Sequence, residues 1–178
     1  MMWPTDDDLR VLLGHDLFDV QESERAELLI DLAVGLVEAE ARQTLTQSSD
    51  TAELDGTGTS FLVLPRWPVT DVSSVTIRDE DPLIDGFTFT NQGLVERTSG
   101  VWPSGHGNIE VAYTAGFATI SDDLKRVVLS VASRGWASPV GVRQESLGDH
   151  SVTYETSGLQ LSTNELQVVR RYQASTPR

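Results

Sequence analysis

The chain has no cysteine and only one lysine, Lys125, in 178 residues. Without cysteine neither a disulfide nor a thiolate metal site can form, which suits a protein made in a reducing cytoplasm. Long apolar runs are missing too: none approaches the roughly 20 residues of a membrane span. The opening Met1-Met2-Trp3-Pro4-Thr5-Asp6-Asp7-Asp8 is acidic, where a signal peptide would be basic and then apolar. These absences argue against a membrane or exported protein. Positive charge is also scarce. The formal net charge is −14, and residues 1–55 hold 14 acids against three arginines. Such a surface repels phosphate backbones, so ordinary nucleic-acid binding is disfavoured. Solubility alone would also explain it.

Catalytic and metal signatures are equally thin. The three histidines, His15, His106 and His150, include no pair at the i, i+4 spacing of a zinc helix. His106 sits in a Gly-rich stretch and reads as an exposed loop residue. Asp79-Glu80-Asp81 precedes Pro82 in a turn, and Asp122-Asp123 marks a helix start; neither reads as a metal site. No EF-hand pattern and no Gly-x-Ser-x-Gly elbow occurs. Asp55-Gly56-Thr57-Gly58-Thr59-Ser60 lacks the Walker lysine and reads as a tight hairpin turn. With 27 acids, carboxylate pairs are guaranteed and do not single out a hydrolase. Trp3, Trp67, Trp102 and Trp136 are scattered and read as core or interface anchors. No cofactor is implied.

What the chain does have is strong patterning. Thr5 can cap a short helix from about Asp6 to His15, with Leu9, Leu12 and Leu13 on its apolar face. A second helix, from about Ser23 to Leu45, carries two adjoining apolar groups: Leu28, Leu29, Leu32, Leu36 and Ala39, then Ile30, Ala33, Val34, Val37 and Ala41. Together they cover an arc of roughly 240°. Glu24, Glu27, Asp31 and Glu38 fall in an arc of roughly 60° opposite. In a monomer such a helix is central. In an oligomer its second apolar side, with Ile30, Val34 and Val37, is the contact with a neighbouring subunit. The acidic line is either a solvated face or the wall of a negative channel.

Residues 51–114 change to strands and turns. Phe61–Leu64 is a short apolar run, and Val72, Val75 and Ile77 mark another strand. Asp85-Gly86-Phe87-Thr88-Phe89-Thr90, Asn91-Gln92-Gly93 and Leu94-Val95-Glu96-Arg97 read as a hairpin. Trp102 to Asn108 reads as a loop. Then comes the most informative stretch, Ile109 to Trp136. Ile109, Val111 and Tyr113 alternate as a strand, Gly116 allows a sharp corner, and Ser121, Asp122 and Asp123 open a helix. Leu124, Val127, Val128 and Val131 form that helix's apolar face, and Pro139 and Gly141 stop it near Ala137. Val142–Leu147 and Ser151–Glu155 suggest a second hairpin about Gly148-Asp149. Ser162-Thr163-Asn164-Glu165 is a capping box opening a terminal helix through Leu166, Val169, Arg170, Arg171 and Tyr172. From Thr156 onward the net charge is +2, against the trend of the chain. That helix either packs on its own domain or docks on a partner.

Two of these motifs carry a family resemblance. Tyr113-Thr114-Ala115-Gly116-Phe117 followed by Ile120-Ser121-Asp122-Asp123-Leu124-Lys125, and Leu64-Pro65-Arg66-Trp67-Pro68-Val69-Thr70-Asp71-Val72-Ser73-Ser74-Val75, resemble the head–tail connector (adaptor) proteins of tailed bacteriophages. A long helix precedes both motifs and a short one ends the chain, in the family's order. Ser121 stands where that family often has proline, and serine is a sound cap.

The residues lead us to expect an α+β fold: a helical bundle core, with a long central helix plus shorter helices, and an inserted small antiparallel β subdomain. We expect one connector-like domain over 1–178, a β-rich insertion at 51–114 and a C-terminal docking helix and tail at 162–178. The resemblance implies a structural, non-enzymatic virion protein at the head–tail interface, present in the host cytoplasm before assembly. It implies a homo-oligomeric ring, a dodecamer in the virion, beneath the portal protein. The ring extends the DNA channel and offers a platform for head-completion stopper or tail proteins. DNA would pass without specific binding along the acidic line Glu24, Glu27, Asp31 and Glu38. The C-terminal segment with Leu166, Val169, Arg170, Arg171 and Tyr172 would dock on the portal. Two other classes remain open: another tail-completion or scaffold-like interaction protein, and a hydrolase with a dispersed acidic site.

Overall fold

The computed structural model describes residues 3–78, 80, 82–83, 85–138, 144–147, 150–153 and 158–174. Asp79, Asp81, Pro139, Gly141, Gly148, Asp149 and the end of the tail lie outside them. The chain divides into two compact units.

The helical unit, Met1–Arg42 and Thr119–Gln173, begins with α1 (Asp6–Leu13) and α2 (Val20–Ala41). Thr5 and Asp8 form a capping box on α1, and Gly14 closes it at φ 74°. A second capping box, Asp19 with Glu22, starts α2 four residues earlier than Ser23 suggests. The helix stops at Ala41 because Arg42 turns left-handed, at φ 56°. After the β unit come α3 (Asp122–Ala137), the two-stranded hairpin β7 (Gln144–Leu147) with β8 (His150–Thr153), and α4 (Thr163–Arg170). The core lies between α2, carrying Ala26, Leu29, Ile30, Ala33, Val37 and Ala41, and α3, carrying Leu124, Val127, Val128, Val131 and Ala132. Gly135 marks a close approach, since a Cβ there would lie 2.9 Å from Cδ2 of both Leu29 and Leu159.

The β unit comprises β1 (Ser48–Gly56), β2 (Phe61–Val63), β3 (Val69–Ile77), β4 (Phe87–Phe89), β5 (Leu94–Arg97) and β6 (Gly105–Ala115). Two antiparallel three-stranded sheets result, ordered β1-β6-β3 and β2-β5-β4. The β4–β5 hairpin turns at Asn91-Gln92-Gly93 as expected, with Gly93 at φ 82°. The stretch from Asp55 to Ser60 is not a hairpin turn: β1 pairs with β6 and β2 with β5, so it passes the chain from one sheet to the other. Val72, Val75 and Ile77 meet Tyr113, Val111 and Ile109 around a fully buried Trp102. Gly116 is obligatory: at φ 105° a Cβ would lie 2.6 Å from the Thr46 carbonyl oxygen.

This architecture corrects the expectation of a helical bundle core with a long central helix and a small β insertion. The described residues hold eight strands in three antiparallel sheets. The strands of residues 48–115 build a hydrophobic core of their own, independent of any helical bundle. Two of the four helices are only eight residues long. Nor is α2 central, because its apolar arc is covered on one side only and Leu28 is 58% and Leu32 46% exposed. No helix among the described residues is long and apolar enough to cross a membrane.

Candidate functional site

The surface of α2 carries two parallel strips. Glu24, Glu27 and Asp31 are exposed and Glu38 is half-buried, and at about 100° per residue all four fall on one line. Directly beside them, Leu28, Leu32, Gly35 and Ala39 form an exposed apolar strip. The residues expected to meet a neighbour lie elsewhere: Ile30 and Val37 are buried in their own unit and Val34 is half-buried. The wheel showed which residues are apolar, but not which side the fold would cover.

The predicted docking helix α4 is fastened to its own unit at both ends. At the start, Arg134 of α3 makes a bidentate pair with Glu165, at 2.7 and 3.0 Å, and donates to the Gln160 carbonyl at 2.7 Å. Burial pushes the Glu165 carboxyl up, but Arg134, the Ser162 N–H and the Ser130 hydroxyl outweigh it and hold it below its ordinary value. At the end, Tyr172 donates to Asp123 at 2.9 Å, and Arg171 pairs with the same carboxylate at 3.0 Å. Burial likewise pushes Asp123 up. The hydroxyls of Ser121 and Tyr172, the Leu124 N–H and Arg171 more than offset this, so its carboxyl also sits low. Ser121 holds the N-cap position of α3 without a capping bond, since its hydroxyl turns to Asp123 and Tyr172. Arg170 pairs with Glu40 of α2 at 3.1 Å, Val169 is fully buried and Leu166 half-buried. Arg170 and Arg171 nevertheless keep more than half of their side chains exposed, at 61% and 64%.

A third feature was not visible in the sequence. A groove of about 560 Å³ runs between α1 and α3, lined by Leu12, Leu13 and Leu129 together with Asp122, Lys125, Arg126, Ser130 and Ser133. Leu12 and its neighbour Val11 are exposed. At the far end of α3, Phe18 stacks on Trp136 at 4.9 Å and Arg25 lies 4.5 Å from the same ring, which explains the placement of that tryptophan.

The β unit offers little chemistry. His106 is exposed and pairs with Asp55 at 2.8 Å, while the Gly107 N–H, and then His106, hold that carboxyl low. Arg66 reaches the carbonyls of Thr44, Thr46 and Ala115, pinning together the segments by which the chain enters and leaves this unit. Of the acids considered as metal ligands, Asp122 pairs with Lys125 at 3.4 Å and Asp123 belongs to the α4 clasp. Among the described residues no group of three or more His, Asp or Glu could hold a metal ion.

Two solved structures share the fold. The chain matches one described as the neck of an empty GTA particle computed with C6 symmetry at a TM-score of 0.65 and 18% identity, covering 96% of this chain and 89% of that one. It matches another, described as the virion of a native gene transfer agent (GTA) particle, at a TM-score of 0.65 and 17% identity, covering 99% and 94%. No curated protein matches the chain. The model of the head completion protein family matches residues 17–133, about two-thirds of the sequence, spanning α2, six strands and most of α3. The chain therefore belongs to the head completion protein family, in keeping with the resemblance to phage head–tail connectors and with a structural role in the virion.

Proposed function

We propose that the protein is the subunit of a head–tail connector (adaptor) ring beneath the portal, dodecameric in the virion. The ring extends the DNA channel and carries stopper or tail proteins. The family match over residues 17–133 is the observation that carries this reading. The fold shared with chains of a GTA neck, a particle computed with sixfold symmetry, supports it. The whole of 1–178 works as one connector subunit, with the β-rich segment 51–114 as a platform and 162–178 as the segment that meets the portal. Arg170 and Arg171 suit that task, being held in place by Glu40 and Asp123 yet still open to a partner.

The acidic line Glu24, Glu27, Asp31 and Glu38 faces the channel. It offers no cation to phosphates, so DNA passes without adhering. The mechanism is contact and shape, with no bond made or broken.

Native mass spectrometry of the purified chain mixed with the portal ring tests this. Addition of one copy per portal subunit is the expected result. A chain that stays monomeric and unbound overturns the connector reading. Glu27→Lys with Asp31→Lys should leave the assembly intact and slow DNA delivery; unchanged delivery removes the channel role from this line.

A further inference from the structure

We propose that the exposed strip of α2, Leu28 and Leu32 with Glu24 on its edge, seats in the α1–α3 groove of a second copy, where Arg126 meets Glu24. This deepens the ring reading and rests on it.

The strip and the groove are complementary in two ways. Leu28 and Leu32 are one helical turn apart and about half exposed, and the groove presents Leu12 and Leu129 beside them in kind. Charge agrees as well. In the helical unit Arg10, Arg134, Arg170 and Arg171 each pair with an acid and Arg25 is held by the Trp136 ring and carbonyl, whereas the side chains of Arg42 and Arg126 make no hydrogen bond or ion pair among the described residues, and of these two Arg126 lines the groove. Lys125 beside it holds Asp122 only at 3.4 Å. In a chain of net charge −14, an unpaired arginine on the lip of an apolar groove selects an acidic, apolar occupant.

The occupant is another copy because the strip cannot reach its own groove. The buried positions Ala33 and Val37 face the interior of the unit, and Leu28 and Leu32 point roughly 140° away from them around the helix. Strip and groove are therefore separate faces, and joining one to the next copy's other face gives a head-to-tail contact of the kind that closes rings. A neighbour seated on Leu28 and Leu32 takes Glu24 out of the channel wall and into the contact, and leaves Glu27, about 100° away at the other edge of the acidic line, facing the channel.

The absence of cysteine makes the test direct. Full chains carrying Leu28→Cys and Leu129→Cys are mixed, concentrated alone or assembled on the portal ring, and oxidised. Disulfide dimers containing one of each variant, several-fold above either variant alone, are expected. Crosslinking of Leu28→Cys with itself, or a ring that gives no mixed crosslink, overturns this contact and leaves the ring reading standing. No self-association under either condition overturns both. Glu24→Arg and Arg126→Glu should each weaken self-association roughly tenfold, and the double variant should recover most of it. Failure of the double variant to recover, with each chain folded by circular dichroism, removes the Glu24–Arg126 pair.

Discussion

The two units solve the problem of covering apolar surface differently. The β unit closes around Trp102, Val75, Val95 and Val111, all fully buried, and among the described residues leaves Phe61, Phe89 and Val101 as large exposed apolar side chains. The helical unit leaves six among its described residues: Val11, Leu12, Leu17, Val20, Leu28 and Leu32. Its helices are tied instead by charged clasps, Arg134–Glu165, Arg170–Glu40 and Arg171–Asp123. A closed apolar core needs no partner. A helical layer with leucines on its outer side is incomplete until something covers them, and the contact proposed above would do so.

The contrast breaks most sharply at Trp102. Trp102→Ala should cost the β unit about 3–5 kcal/mol, enough to open it. Hydrogen exchange should then rise in β3 and β6 while α3 amides stay protected. Equal loss of protection in both would show that the units do not hold separate cores. The neighbours Leu28 and Leu29 test the helical unit. Leu29 is 6% exposed, and Leu29→Ala should cost about 2–4 kcal/mol, whereas Leu28→Ala should change the stability of the isolated chain by less than about 0.5 kcal/mol. Chemical denaturation of both variants checks the pair.

The clasps give the helical unit a pH dependence. Glu165 and Asp123 both sit below their ordinary values of 4.5 and 3.8. Folding therefore favours their ionised forms. Their contribution is complete above those values and is lost as pH falls through the lowered folded ones. Urea midpoints followed from about pH 6 to about pH 3 should drop, with a net loss on the order of 1 kcal/mol after solvent screening. Arg134→Ala should remove most of the Glu165 share of that dependence, at a cost of about 2–3 kcal/mol, because a buried carboxylate loses the hydrogen bonds of its partner. A pH profile identical to that of the unaltered chain would show that the clasp is not what titrates.

How much of this was legible in the sequence follows the range of the interactions. The start and end of α3 were legible, because Ser121-Asp122-Asp123 and the spacing of Leu124, Val127, Val128 and Val131 are local signals. The capping box of α4 was legible for the same reason. The start of α2 was missed because Asp19 and Glu22 hide among other acids, although their spacing is itself a capping signature. The architecture was misjudged where pairing is distant. Nothing near Ser48–Gly56 says that its partner is β6, some fifty residues on, so the strands looked like an insertion into a bundle. The clasp joins Tyr172 to Asp123 across a similar distance. An Arg-Arg-Tyr run in an acidic chain was its only trace. Exposure of Leu28 rather than Val37 depends on which side the other helices lie, and a helical wheel has no such information.

The smallest effect sharpens the comparison at the β unit's own expense. Its core is apolar but not free of cost, since the Tyr113 hydroxyl is buried without a hydrogen-bond partner. Burial, and then Asp50, push its pKa up, with Arg66 opposing, so the group stays protonated and its O–H remains a donor with nowhere to donate. An unsatisfied buried hydroxyl costs about 1–3 kcal/mol, offset in part by the packing of the ring. Tyr113→Phe removes that cost and keeps the ring against Val72, its partner across β3. The substitution should leave stability unchanged or raise it by up to about 1 kcal/mol, as read from the denaturation midpoint. A loss of that size would mean instead that the hydroxyl is satisfied in solution. The interior of the β unit would then depend on a polar contact, as the helical unit depends on its clasps.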